Sequence, residues 1–185
     1  MAGTHVSPAF STIIIGLMEV IAVIISVFVI ERLGRKVLLL ISISVVIICL
    51  ILLGIFFYML DQDPASVAHI GWLPLVSLSI YILAFEVGLG PVGWTMLGEI
   101  YSNELKIYAS PISGCLNWFL AFLITYFFQR LSDWIGIGQT FWLFAAASLF
   151  GVFFIIFMVP ETKGKSLADI QRMLSGRRSR EEHIL

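Results

Sequence analysis

Two carboxylates sit where water is scarce. Glu19 falls inside the apolar run from Ala9 to Ile30, and Glu86 inside the run from Trp72 to Leu97. A charged group at mid-bilayer costs at least about 2.5 to 3.5 kcal/mol on insertion scales, so each acid needs a reason. One reason is a polar pathway whose carboxylates bind substrate hydroxyls or carry protons. The other is a neutral acid hydrogen-bonded to nearby backbone, the form that burial favours. Cys49 and Cys115 offer no comparable chemistry, since both lie in apolar runs without the spacing of a disulfide framework or a metal site. Neither a metal nor a cofactor is expected, and no enzymatic reaction.

Glu86 has unusual company. The segment Gly88-Leu89-Gly90-Pro91-Val92-Gly93-Trp94 places three glycines and a proline where a helix wants none. It is expected to kink or unwind, which membranes tolerate only where the freed backbone meets protein or water. Interrupted helices recur at transport sites because the break exposes backbone dipoles and provides a hinge. Trp94 adds an indole donor and a flat face on which an apolar ring face can stack. The other reading of the segment is a structural kink without such a role.

The elements that must carry these residues are membrane spans. The chain has 185 residues, 59% of them hydrophobic and only 12% charged, with a mean hydropathy of +1.01. Soluble domains are about a quarter charged, so an ordinary soluble enzyme is excluded. Disorder is excluded with it, and a formal charge of −1 lacks the basic excess of a nucleic-acid binder. Crossing a hydrocarbon core takes roughly 20 helical residues. Five stretches qualify: 9–30, 37–60, 72–97, 108–128 and 140–159. The reading is an all-α membrane protein of five transmembrane helices, with an extracellular stub at 1–8 and a cytoplasmic segment at 161–185. Ten of the 11 basic residues follow the first, third and fifth spans, with Arg130 the exception. That asymmetry puts the N-terminus outside and the C-terminus in the cytoplasm.

Polar residues on a membrane helix matter when they share a face. Thr12, Gly16, Glu19, Val23 and Ser26 do so on the first span, Ser77, Tyr81, Phe85 and Gly88 on the third, and Gly114, Asn117, Ala121 and Thr125 on the fourth. The first, third and fourth spans therefore read as lining helices, the second and fifth as outer scaffold. Past the last span, Ser166-Leu167-Ala168-Asp169 has the form of a capping box, with Leu167, Ile170 and Leu174 on one face. A short amphipathic helix along the membrane surface is expected there.

Three joints between the spans share one pattern. They read Glu31-Arg32-Leu33-Gly34-Arg35-Lys36, then Gly98-Glu99-Ile100 with Lys106 further on, then Pro160-Glu161-Thr162-Lys163-Gly164. With the glycine-proline segment, these resemble in order and spacing the signatures of the sugar porter branch of the major facilitator superfamily. The wording looks nearest to insect-type facilitated trehalose transporters and their glucose-transporter relatives. The resemblance covers about residues 3 to 175 and corresponds to spans eight to twelve of a twelve-helix fold. It implies facilitative transport of trehalose or a hexose by alternating access, in a multi-pass protein of the plasma membrane.

Roles carry over by position. Phe85, Glu86 and Trp94 match sugar-contacting and gating positions, and Asn117 with Trp118 matches the following Asn-Trp pair. Gly88, Gly90, Pro91 and Gly93 match the gating hinge. Glu31, Arg32, Arg35, Lys36, Glu99, Lys106 and Glu161 match a cytoplasmic charge network. Glu19 stands where the family usually has Asn or Gln; a carboxylate only accepts hydrogen bonds, so substrate choice or proton independence is put in question. Lys36 and Lys106 stand where Arg is usual, and without the bidentate fork their pairs are expected to be looser. The resemblance also implies a first helical bundle outside these residues, so the chain is expected to be a fragment or short isoform unable to transport alone. The alternatives are a non-transporting membrane partner of a full-length transporter and a proton-coupled sugar symporter.

Overall fold

The computed structural model describes residues 8–101, 103–165 and 169–170, and it is helical almost throughout. Among the described residues six α-helices run in order: α1 (Pro8–Leu33), α2 (Arg35–Gln62), α3 (Leu73–Ala84), α4 (Gly90–Ile100), α5 (Asn103–Ile135) and α6 (Ile137–Met158). A 3-10 turn at Ala68–Ile70 leads into α3, and a π-helical turn at Phe85–Leu89 joins α3 to α4. The rod from Ala68 to Ile100 thus acts as one span, giving five helices long and apolar enough to cross a membrane. The chain is a multi-pass membrane protein. The capping box and tail expected after the last span, Asp169 and Ile170 apart, lie outside the described residues.

Single glycines separate neighbouring helices. Gly34 and Gly136 have φ of +89° and +93°, open to glycine because a Cβ would strain any other residue there. Each lets the backbone reverse in one step, so α1 passes directly into α2 and α5 into α6.

Packing centres on α2. Leu38, Leu39 and Ile43 are buried with Val92 and Met96 of α4 and Ile155 of α6, and Val46 and Leu50 with Ala145. The backbones of α2 and α6 come close where Gly54 faces Gly138. A Cβ on Gly138 would come 2.7 Å from the Gly54 carbonyl oxygen and 2.8 Å from the Tyr58 nitrogen, so only a bare backbone fits. By contrast, α1 and α5 turn long apolar faces outward, with Ile13, Leu17, Val27, Tyr108, Ile112 and Trp118 all more than half exposed.

Candidate functional site

One end of the bundle is tied together by polar groups. The first N–H groups of a helix have no partner within it. At the start of α2 the Glu161 carboxylate accepts from the backbone N–H of Arg35 at 3.0 Å and of Lys36 at 3.1 Å. Lys163 N–H donates to the same carboxylate at 2.9 Å. Burial opposes the charge on Glu161, but the backbone N–H groups of Lys163, Arg35, Lys36 and Thr162 outweigh it and hold the carboxyl below its ordinary range. The Arg35 side chain reaches Glu99 instead, donating to Oε1 through Nη2 at 2.8 Å and Nε at 3.1 Å. The other Glu99 oxygen accepts the Thr162 hydroxyl at 2.6 Å. Three joints far apart in sequence are thereby locked at one end of the molecule.

Two lysine side chains of this end do other work. Lys36 Nζ donates to the Ile156 carbonyl at 2.7 Å, and Lys163 Nζ to the carbonyl of Arg32. Both cap backbone oxygens at helix ends, where positive charge is favoured. Lys106 Nζ lies beside Gly98, while Glu31 and Arg32 are exposed; none of their side chains joins the Arg35–Glu99–Glu161 cluster among the described residues. Thr162 is the member that sequence reasoning passed over, although it sits inside the Pro160-to-Gly164 signature.

Between α3 and α4 the chain does not unwind. Phe85 to Leu89 keep right-handed helical dihedrals in a wider π turn, closed by the Gly90 N–H to the Phe85 carbonyl. The physical reason is Pro91, which has no N–H to donate and whose ring would press on the carbonyl four residues back. A π turn inserts one extra residue and makes room without breaking the rod, a device often found at functional sites.

A cleft of about 510 Å³ opens beside this turn. Phe85, Glu86, Leu89, Gly90, Pro91, Gly93, Trp94 and Leu97 form one wall, and Ser113 and Asn117 of α5 the other. Its size falls within the roughly 300 to 1,000 Å³ of small-molecule sites. Trp94 is 51% exposed, and the edge of its ring lies 3.9 Å from where a Cβ of Gly114 would stand. Phe85 is stacked on Tyr81, with ring centroids 6.3 Å apart and planes 9° from parallel. The lining therefore combines a carboxylate, an amide, a hydroxyl and an indole N–H with two aromatic faces. Such a set hydrogen-bonds hydroxyl groups while stacking on an apolar ring face.

Of the residues singled out from sequence, the cleft gathers Phe85, Glu86, Gly90, Pro91, Gly93, Trp94 and Asn117. It does not gather Glu19, exposed on α1, nor Trp118, 74% exposed on α5. Gly88 is buried on the opposite side of the rod, facing α2. Ser113 and Leu97 were missed; Ser113 lies four residues before Asn117, so helical spacing alone points to it.

Comparisons with known proteins agree in kind. Residues 1–174 match the sequence profile described as sugar (and other) transporter. A facilitated trehalose transporter Tret1-2 homolog of Drosophila simulans is 43% identical over 176 residues, covering 95% of this chain and 36% of its own. Facilitated trehalose transporter Tret1 of Bombyx mori is 43% identical over 184 residues, covering 100% of this chain and 36% of its own. Tret1-1 of Drosophila simulans is 43% identical over 176 residues, 20% of its length. Among solved structures, the inward-open xylose transporter XylE from E. coli matches 89% of this chain and 35% of its own with a TM-score of 0.77 at 27% identity. The chain thus spans between 20% and 36% of the length of the curated relatives named here.

Proposed function

The chain belongs to the sugar (and other) transporter family, and from that premise we propose that it forms part of a facilitative sugar pathway, with the cleft beside the π turn as one wall of the binding site. The observation that carries this reading is the composition of the cleft: Glu86, Asn117, Ser113 and Trp94 converge with Phe85 on one opening between α4 and α5. A pyranose presents hydroxyls around its rim and C–H groups on its faces, and the cleft offers partners to both. The substrate class is trehalose or a hexose, which fits the names of the relatives in Drosophila and Bombyx.

The opposite wall belongs to a second helical bundle, supplied by the same protein at greater length or by a full-length relative. What supports this is the exposure of α5, a wall of the cleft with no buried residue in its apolar window. The end carrying Arg35, Glu99 and Glu161 faces the cytoplasm of the plasma membrane, because the basic residues concentrate there. The test is uptake of labelled trehalose and glucose by the protein expressed at the full length its gene encodes. Saturable uptake that either unlabelled sugar competes is expected. Correctly inserted protein without it would overturn the reading. The 185-residue chain alone in proteoliposomes should give no saturable flux until the second bundle is supplied.

A further inference from the structure

Gly88 was matched to a hinge, yet its surroundings are those of a seat. A Cβ built on Gly88 would overlap Ser42 Oγ of α2, and would lie 2.7 Å from Ser42 Cβ and 3.1 Å from the Leu38 carbonyl oxygen. The Ser42 hydroxyl could rotate aside, but its Cβ and the Leu38 carbonyl are fixed to the α2 backbone, so rotation alone does not make room. Around the contact the packing is tight: Ser42 is 3% exposed, Leu38 2% and Val92 0%. Gly93, on the cleft side, meets nothing within 4 Å. The glycines of this segment therefore face two ways, one packed hard against α2 and one open to the cleft.

From this juxtaposition we infer that Ser42 is a positioning residue for the cleft, holding the π turn at a depth that only a side chain of its size against a bare Gly88 allows. Gly88, Val92 and Met96 recur at steps of four and face the α2 side, where Val92 and Met96 join the core around Leu38, Leu39 and Ile43. Phe85, Glu86, Gly90 and Trp94 belong to the same rod and face the cleft. Any movement of the turn away from α2 carries those four toward Ser113 and Asn117 and narrows the opening. Ser42 touches no substrate; it acts through Gly88.

The inference rests on the transport reading for its consequence but not for its geometry, and the experiment separates the two. Gly88→Ala is compared with the pair Gly88→Ala, Ser42→Gly in the full-length protein, at equal amounts in the membrane. For labelling alone, the same changes are placed in a background with Ser113→Cys and Cys115→Ala, where the rate at which a small maleimide labels the cleft cysteine reports the position of the turn; uptake is measured in the protein that keeps Ser113. Gly88→Ala should slow labelling and lower kcat/KM for sugar roughly tenfold, with KM raised. Adding Ser42→Gly should recover most of both, because it vacates the space the new Cβ needs. Labelling and uptake within twofold of the parent in Gly88→Ala would overturn the inference, as would a pair no better than Gly88→Ala alone. If the size swap governs labelling while the parent shows no saturable sugar uptake, the seat stands and the transport reading falls.

Discussion

Glu161 shows how a single carboxylate holds several elements. It accepts from the N-terminus of α2 and from the chain just past α6, and these backbone donors keep it ionised below the ordinary carboxylate range despite partial burial. A depressed carboxyl stabilises the fold fully at any pH above its unfolded value. That contribution is lost as pH falls through the unfolded value and on to the lower folded one. Thermal unfolding in detergent across the acid range should therefore show the protein losing stability below the ordinary carboxylate range, and Glu161→Gln should flatten that part of the profile. An unchanged profile would remove the role given to the carboxylate. In the cleft, the role proposed for Trp94 is stacking, for which its half-exposed ring is available. Trp94→Ala should raise KM for sugar about tenfold, the equivalent of about 1.4 kcal/mol, with a smaller effect on membrane abundance; concentration-dependent uptake measures it.

At the scale of elements, close helix approach is set by glycines with nothing to spare. Gly138→Ala would push its Cβ into the Gly54 carbonyl oxygen and the Tyr58 backbone, so α2 and α6 must separate. A loss of about 1 to 3 kcal/mol is expected, read as a lower midpoint of thermal unfolding. Gly93→Ala meets open space and should hold or raise the midpoint, since helix propensity favours alanine by up to about 1 kcal/mol. A ranking in the opposite order would contradict the packing described here. The contrast also shows what sequence could and could not reveal. Five spans and their joints were legible because each apolar run is long and the charges between runs are few. The π turn was not, because glycine and proline say that a helix is disturbed without saying how; only the Gly90-to-Phe85 hydrogen bond distinguishes widening from unwinding. Helical spacing put Phe85 on a lining face of the third span and Asn117 on one of the fourth, and both line the cleft, whereas Gly88, placed on the same stripe as Phe85, packs against α2. Glu86 and Trp94 were matched to sugar-contacting positions by resemblance rather than by spacing. Which glycine faces a neighbour and which faces a cavity depends on partners far away in sequence, as Ser42 and Gly88 show.

Across the whole molecule, charge and packing define the same axis. Gly34, Ile100 and Val159 mark joints whose side chains meet through Arg35, Glu99, Glu161 and Thr162, so these joints share one end. Asp61 lines a small cavity with Gly138 and Gln139, which places the α2–α3 and α5–α6 connections together at the other. The first end carries most of the lysines and arginines, and the second carries Asp61 and Asp63. If the basic end is cytoplasmic, a cysteine introduced as Asp63→Cys will react with a membrane-impermeant thiol reagent on intact cells. One introduced as Lys165→Cys will react only after permeabilisation. Cys115 must first be replaced because it is exposed on α5, whereas Cys49 is buried. Labelling of the Lys165 site on intact cells would reverse the orientation. The cleft would keep its geometry, since nothing that forms it depends on which end faces the cytoplasm, and the Arg35–Glu99–Glu161 cluster would then tie the helices together at the outer rather than the cytoplasmic end.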